Sequence, residues 1–400
     1  MIPPGGREIM LPCLILLGAM FNLTLVVAGL KEFVIDDLGG SVADATLFFS
    51  VETFAYILFA PIWGLLSDRV QRRKPFIIVG FLLSAGIYWM YWSVDSVQVL
   101  LVLRFIQGAF SVMGWSLVMA LVLDRPHNSG RGRDMGIMGA SLILGVALGA
   151  PIGGYFSRWG GPRAPLAAAA ALFAVLAISA FFLRERSFST SQVRIGEVLT
   201  GLKSCPNLLV PMLFHFVDRL AVGLFVVVFP LFLDSLGAGD PAARGRYLSL
   251  FLIPFALLQL VTGRIIEKVG PFKPLFIGSI VYGVLLCTVG YADLLLLWPV
   301  MIALGVSAAV MFPPAILLTA RLSTPLTRGS AMGGFNLAGS LGFALGPLLG
   351  GWVYLVWGFG AAFVMCGLLE IAVGLLGPYL VRDWSREDLA AIGDETSATE

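Results

Sequence analysis

Charge is what this chain has least of. Only 12% of its 400 residues are Asp, Glu, Lys or Arg, against about 25% in a soluble domain. The net charge of +2 draws neither nucleic acid nor an acidic partner. Cysteine is scarce as well. Cys13, Cys205, Cys287 and Cys366 are scattered, with no CxxC pair and no histidine cluster near them, which argues against a structural zinc site and a disulfide framework. No cofactor loop, metal cluster or nucleophile–base pair stands out, so the chain does not read as an enzyme and calls for no cofactor. The opening Met1-Ile-Pro-Pro-Gly-Gly leads into an apolar run without a small-residue cleavage site. That favours a retained first helix over a signal peptide.

What is present is hydrophobic sequence: 58% of the residues, at a mean hydropathy of +0.92. Twelve apolar runs cover 9–30, 44–66, 75–94, 98–123, 134–157, 164–184, 207–233, 245–267, 274–292, 295–320, 329–355 and 358–381. Each is long enough to cross a hydrocarbon core of about 30 Å. The expected fold is all-α: a polytopic membrane protein with an N-terminal six-helix bundle (1–184), a cytoplasmic linker (185–206), a C-terminal six-helix bundle (207–383) and a polar cytoplasmic tail (384–400). With both termini placed in the cytoplasm, 19 of the 26 basic residues fall on cytoplasmic segments and five on the outer loops (Lys31, Arg158, Arg163, Arg244, Arg246). This asymmetry sets the orientation in a cytoplasmic (inner) membrane.

The two halves repeat each other. Gly136, Gly145, Gly149, Gly153 and Gly154 return as Gly333, Gly342, Gly346, Gly350 and Gly351, offset by 197 residues. Upstream, Gly64, Asp68, Arg69, Val70, Lys74 and Pro75 align with Gly263, Glu267, Lys268, Val269, Lys273 and Pro274 at an offset of 199. Such a tandem duplication in so apolar a chain points to a membrane transporter. Six spans per half make the halves enter the membrane in the same direction, related by an axis along its normal.

Physical roles follow from these residue types. Gly64 allows a neighbouring helix close approach. Asp68, at a helix end, is suited to accept from amides at the start of another helix. Arg69, Arg72, Arg73 and Lys74 can pair with carboxylates or anionic lipid headgroups. Glycines at spacing four (Gly145, Gly149, Gly153 with Gly154; Gly342, Gly346, Gly350 with Gly351) make flat helix faces, and Pro151 and Pro347 loosen the helices that carry them.

The loop Gly64, Leu66, Asp68, Arg69, Arg72, Arg73, Lys74, Pro75 resembles the signature of the major facilitator superfamily. It departs at Gln71, where that family prefers glycine. The resemblance implies that Asp68 helps to lock an outward-facing state, with Glu267 and Lys268 as a weaker counterpart. Arg104, Gln107 and Gly108 match an Arg-x-x-Gln-Gly signature that the resemblance links to proton coupling. The glycine series is similar to the family's antiporter motif. The proline is displaced to Pro151 in the first copy and correctly placed at Pro347 in the second. In this respect the chain resembles drug:proton antiporters, and the superfamily implies a monomer.

Ionisable residues inside spans are costly and need partners or a task. Arg104 must face the bundle interior or water. On span 7, His215, Asp218 and Arg219 share roughly one face and form either a proton relay or a structural Asp218–Arg219 pair. Glu52, about 24 Å from Asp68 along its helix and with Tyr56 on the same face, is suited to gate the outer mouth, to hold a cation or merely to pack; with Asp218 and Glu370 it is one of three candidate proton carriers. Glu370, mid-span 12, reads as a buried acid with or without a transport role. Asn22, Tyr56, Gln107, Phe214, Gln259 and Asn336 are candidates for the cavity lining, and each polar one could equally tie helices together. The function expected is proton-coupled efflux of a small lipophilic or weakly cationic solute. The alternatives are import of a metabolite and, more remotely, a non-transporting assembly factor or receptor.

Overall fold

The computed structural model describes residues 4–123, 131–185, 206–323 and 328–382, all helix or short connections, with no strand among the described residues. The helices are α1 (Pro4–Leu25), α2 (Val42–Val70), α3 (Lys74–Met90), α4 (Val97–Leu123), α5 (Arg131–Gly160), α6 (Ala164–Ala180), α7 (Leu209–Ser235), α8 (Pro241–Val269), α9 (Phe272–Val289) and α10 (Leu294–Arg321). The segment Arg328–Leu380 is helical throughout except at Gly358, whose φ of 83° and ψ of 178° break it into α11 (328–357) and α12 (359–380). Only glycine adopts that backbone without strain, so Gly358 separates the last two of the twelve predicted spans. Residues 186–205 of the expected linker, the whole of the expected tail (384–400) and the side chains of Glu267 and Lys268 lie outside the described residues.

Local sequence explains several ends. Ser41 and Asp44 form a reciprocal capping box at the start of α2: Asp44 N–H donates to Ser41 Oγ at 3.2 Å and Ser41 N–H to Asp44 Oδ2 at 2.8 Å, satisfying two orphan amides. Asp293 caps α10 by accepting from Leu296 N–H at 2.7 Å. Among the described residues, eight helical stretches are long and apolar enough to cross a membrane, with Ala331–Leu380 counted once.

The chain forms two compact units. The first comprises Met1–Gln192 together with Phe229–Ile253; the second comprises Val193–Val228 and Pro254–Glu400. In the first, α5 lies along α1 and α2 along α4. A methyl group on Gly145 would run into Leu17 O, on Gly149 into Phe21 O, and on Gly153 into Leu25 O. In the second, Gly342 and Gly346 of α11 stand equally close to Phe216 O and Leu220 O of α7, and Gly350 to the Leu224 side chain. The duplicated glycines are therefore duplicated helix contacts, α1 with α5 and α7 with α11. Gly154 serves a different neighbour: it abuts Pro241, and Gly245 abuts Ala150 and Pro151, so the start of α8 packs on the end of α5.

Candidate functional site

The loop between α2 and α3 closes tightly although it lacks the expected glycine. Gln71 takes φ 57°, ψ 28°, a left-handed conformation uncommon outside glycine. Its N–H donates to Asp68 O and that of Arg72 to Ser67 O, both at 3.2 Å, which is a Schellman closure. The Gln71 amide adds a 2.6 Å bond to Asp68 O. Asp68 pairs with Arg73 at 3.2 Å, while Arg69 and Arg72 remain exposed. The amides that open α3 are bonded by a residue that sequence reasoning did not single out. Glu185 Oε1 accepts from Lys74 N–H at 3.2 Å and also from Arg73 N–H, placing a carboxylate where the helix dipole favours one. A Cβ on Gly64 would meet nothing within 4 Å.

Within the first unit, Arg104 finds the partner its position demands. Its guanidinium meets Glu52 Oε2 at 2.5 Å, donates to Tyr88 Oη at 2.7 Å and Gln107 Oε1 at 3.1 Å, and lies 4.2 Å over the Phe48 ring. Tyr56 Oη donates to Glu52 Oε1 at 2.7 Å. One acid and one base, each hydrogen-bonded further, make a network with no formal charge left over.

The second unit has a different balance. Asp218 and Arg219 pair directly: Nε donates to Oδ2 at 2.8 Å, and NH2 stands 2.6 Å from the same oxygen as an ion pair, while Arg219 lies 4.9 Å over Phe312. His215 makes no bond to Asp218. Its ring stacks on Phe335 at 3.9 Å with 2° between the planes, in the gap left open by Gly339, and its Nδ1 has no partner. Glu370 on α12 is fully buried, and neither of its oxygens has a hydrogen-bond partner. It lies within electrostatic reach of Asp218 and Arg219.

A third charged group lies at the end of the first unit opposite the α2–α3 loop. The π-helical turn Glu32–Asp37 and its neighbour Lys31 meet residues of α7 and α8. Lys31 Nζ bridges Asp36 at 3.2 Å and Asp234 at 3.3 Å, and Arg158 reaches Asp240 at 3.4 Å. The fully buried Arg244 pairs with Glu32 and stands 3.9 Å from Asp234. Burial works against the Lys31 charge, but the hydrogen bond to Asp36 and the charges of Asp234 and Asp36 outweigh it, raising its pKa above the ordinary 10.5.

The residues proposed to line a cavity divide. Asn22, Gln107 and Phe214 are buried in packing: Asn22 ties α1 to α6 through Ala169 O at 3.1 Å, and Phe214 stacks on Phe276 at 5.6 Å. Tyr56, Gln259 and Asn336 keep accessible surface. The Glu52–Arg104 pairing was visible in principle as the one acid and one base in the span interiors of the first half, away from the span ends. The roles of Tyr88 and Glu185 carried no such signal.

The sequence profile of the Major Facilitator Superfamily matches residues 12–210 and 211–395. The chain is 24% identical over 359 residues to the synaptic vesicular amine transporter of Rattus norvegicus, covering 86% of this chain and 68% of that protein. It is 24% identical over 336 residues to the class E tetracycline resistance protein of Escherichia coli, covering 80% and 82%. Among solved structures, the nucleoside transporter NupG superposes with a TM-score of 0.78 at 15% identity, over 94% of this chain and 100% of that one, a likeness of fold.

Proposed function

The chain belongs to the Major Facilitator Superfamily, as a multi-pass membrane transporter, and on that premise we propose that it exports a small lipophilic or weakly cationic organic solute in exchange for protons. The observation that carries this reading is the set of ionisable side chains held within the spans, all buried except the half-buried Arg219. Asp218, Arg219 and Glu370 lie in one unit and Glu52 and Arg104 in the other, where a passive scaffold has little use for charge. Relatives named for amine transport and tetracycline resistance, and the doubled glycine series, support export. Asp218, held by Arg219, binds the proton; Arg104 with Glu52 and Gln107 braces the first bundle. Asp68, with Arg73 and its basic neighbours, biases alternating access between the two bundles. The protein works as a monomer in the cytoplasmic membrane, with both termini inside.

Proton flux in proteoliposomes tests this. Vesicles loaded with a pH-sensitive dye are given a pH gradient and then tetraphenylphosphonium, ethidium, neutral drugs, sugars or organic anions. Collapse of the gradient on adding a lipophilic cation is the expected result. Coupled uptake of a sugar or an organic anion would replace export with import, and a gradient indifferent to the whole panel would remove proton coupling.

A further inference from the structure

We propose that the second unit holds one exchangeable proton shared between two buried carboxyls, Asp218 and Glu370, with Arg219 as their common counter-charge. Glu370 is then as much a part of the coupling site as Asp218. The inference deepens the proton-coupled reading above and rests on it for its role in transport, but the site itself stands on charge and geometry.

Glu370 sits on the face of α12 that packs against α9. Gly367 and Gly374, on either side of it along that face, stand against Gly283 and Ile280 of α9. The groups that face it are few. Among the described residues, Asp218 and Arg219 of α7, Tyr282 of α9 and Cys366 of its own helix lie within its electrostatic reach, and the rings of Phe225 on α7 and Phe363 on α12, 5.6 Å apart, bring the two helices together seven residues from each carboxyl. Cys287 lies within electrostatic reach of Cys366, and His215 within that of Arg219. The Ser279 hydroxyl lies beside Glu370 without completing a hydrogen bond to either oxygen. Asp218 itself keeps one oxygen, Oδ1, buried and unbonded.

The count of charges decides the matter. Arginine stays cationic in proteins, and the tyrosine, the thiols and the imidazole add nothing when neutral. Two ionised carboxylates against one guanidinium leave one negative charge in apolar surroundings, where an uncompensated ion is strongly disfavoured. One added proton makes the group neutral, and the two unbonded carboxyl edges are where it can reside. Two carboxyls sharing one proton titrate as a pair and not as separate residues. The first unit needs no such proton, because Glu52 and Arg104 already balance one to one. This contrast places the exchangeable proton in the second unit, and on the pair.

The test is infrared spectroscopy on the full-length protein in lipid nanodiscs, recording pH-difference spectra in the C=O stretching region of protonated carboxyls. Wild type is expected to show a single buried carboxyl band. Both Asp218→Asn and Glu370→Gln should abolish it, because either substitution leaves one carboxylate balanced by Arg219. Arg219→Gln should raise it about twofold, since the neutral group then carries two protons. Loss of the band in Glu370→Gln alone would make Glu370 an isolated buried acid. Loss in Asp218→Asn alone would leave Asp218 as sole carrier. Either result overturns the shared site. Size-exclusion profiles identify any variant that fails to fold, and the three substitutions provide independent readings. No substrate is added, so failure of proton-coupled transport in proteoliposomes and failure of the shared site are told apart.

Discussion

Glu52 and Arg104 meet at 2.5 Å on neighbouring helices, with 1% and 0% of their side chains exposed. Removing one partner of such a buried pair strands the other charge and costs roughly 3–5 kcal/mol, whereas replacing both with apolar groups of similar volume is often neutral. Glu52→Leu and Arg104→Met should therefore each lower the melting temperature in detergent substantially, and the double variant should recover most of the loss. A double variant no better than the sum of its parents would show that the two do not act as a pair.

The glycine contacts predict a matched pair of defects. Gly149→Ala drives a methyl group against Phe21 O and Thr24, and Gly346→Ala does the same against Leu220 O. Each should destabilise by about 1–3 kcal/mol as an overpacked interface. Gly64→Ala, with open space around it, should melt like wild type. Equal tolerance at all three positions would contradict the close packing of α1 with α5 and α7 with α11.

At the α2–α3 loop, Glu185→Ala removes the carboxylate that accepts from the first amides of α3, and loss of a cap costs about 0.5–2 kcal/mol. Asp68→Asn keeps the size of the side chain but neutralises its pairing with Arg73. It is expected to insert and melt normally while transport slows. Undiminished turnover by this variant would take the loop out of the conformational cycle.

Lys31 gives a pH prediction with a definite sign. Its folded pKa lies above the ordinary 10.5, so the charged form is favoured by folding. The stabilisation is complete below 10.5 and is lost as pH rises through the folded value. The melting-temperature difference between wild type and Lys31→Met should be constant through neutral pH and shrink only on the alkaline side of 10.5. A gap that closes below that point would assign the effect to other groups.

The sequence by itself determined the twelve spans, the internal duplication and the family, because each rests on local properties. A long apolar run needs a bilayer whatever it packs against, and glycines at spacing four make a flat helix face before any partner is chosen. It also showed that Arg104 must have a partner. Which partner was a matter of tertiary structure, since Glu52 is 52 residues away and nothing local joins them. The same holds for Glu185 at the start of α3 and for the stacking of His215 on Phe335 instead of bonding to Asp218. Asp218 and Arg219, adjacent in sequence, were legible as a possible pair. Their relation to Glu370, some 150 residues on, was not. Charge balance in an apolar interior depends on which groups are brought together, and only the folded chain decides that. The sequence alone reads Glu370 as a buried acid mid-span with or without a transport role, and the packing of α12 against α9 turns it into the third member of an unbalanced group.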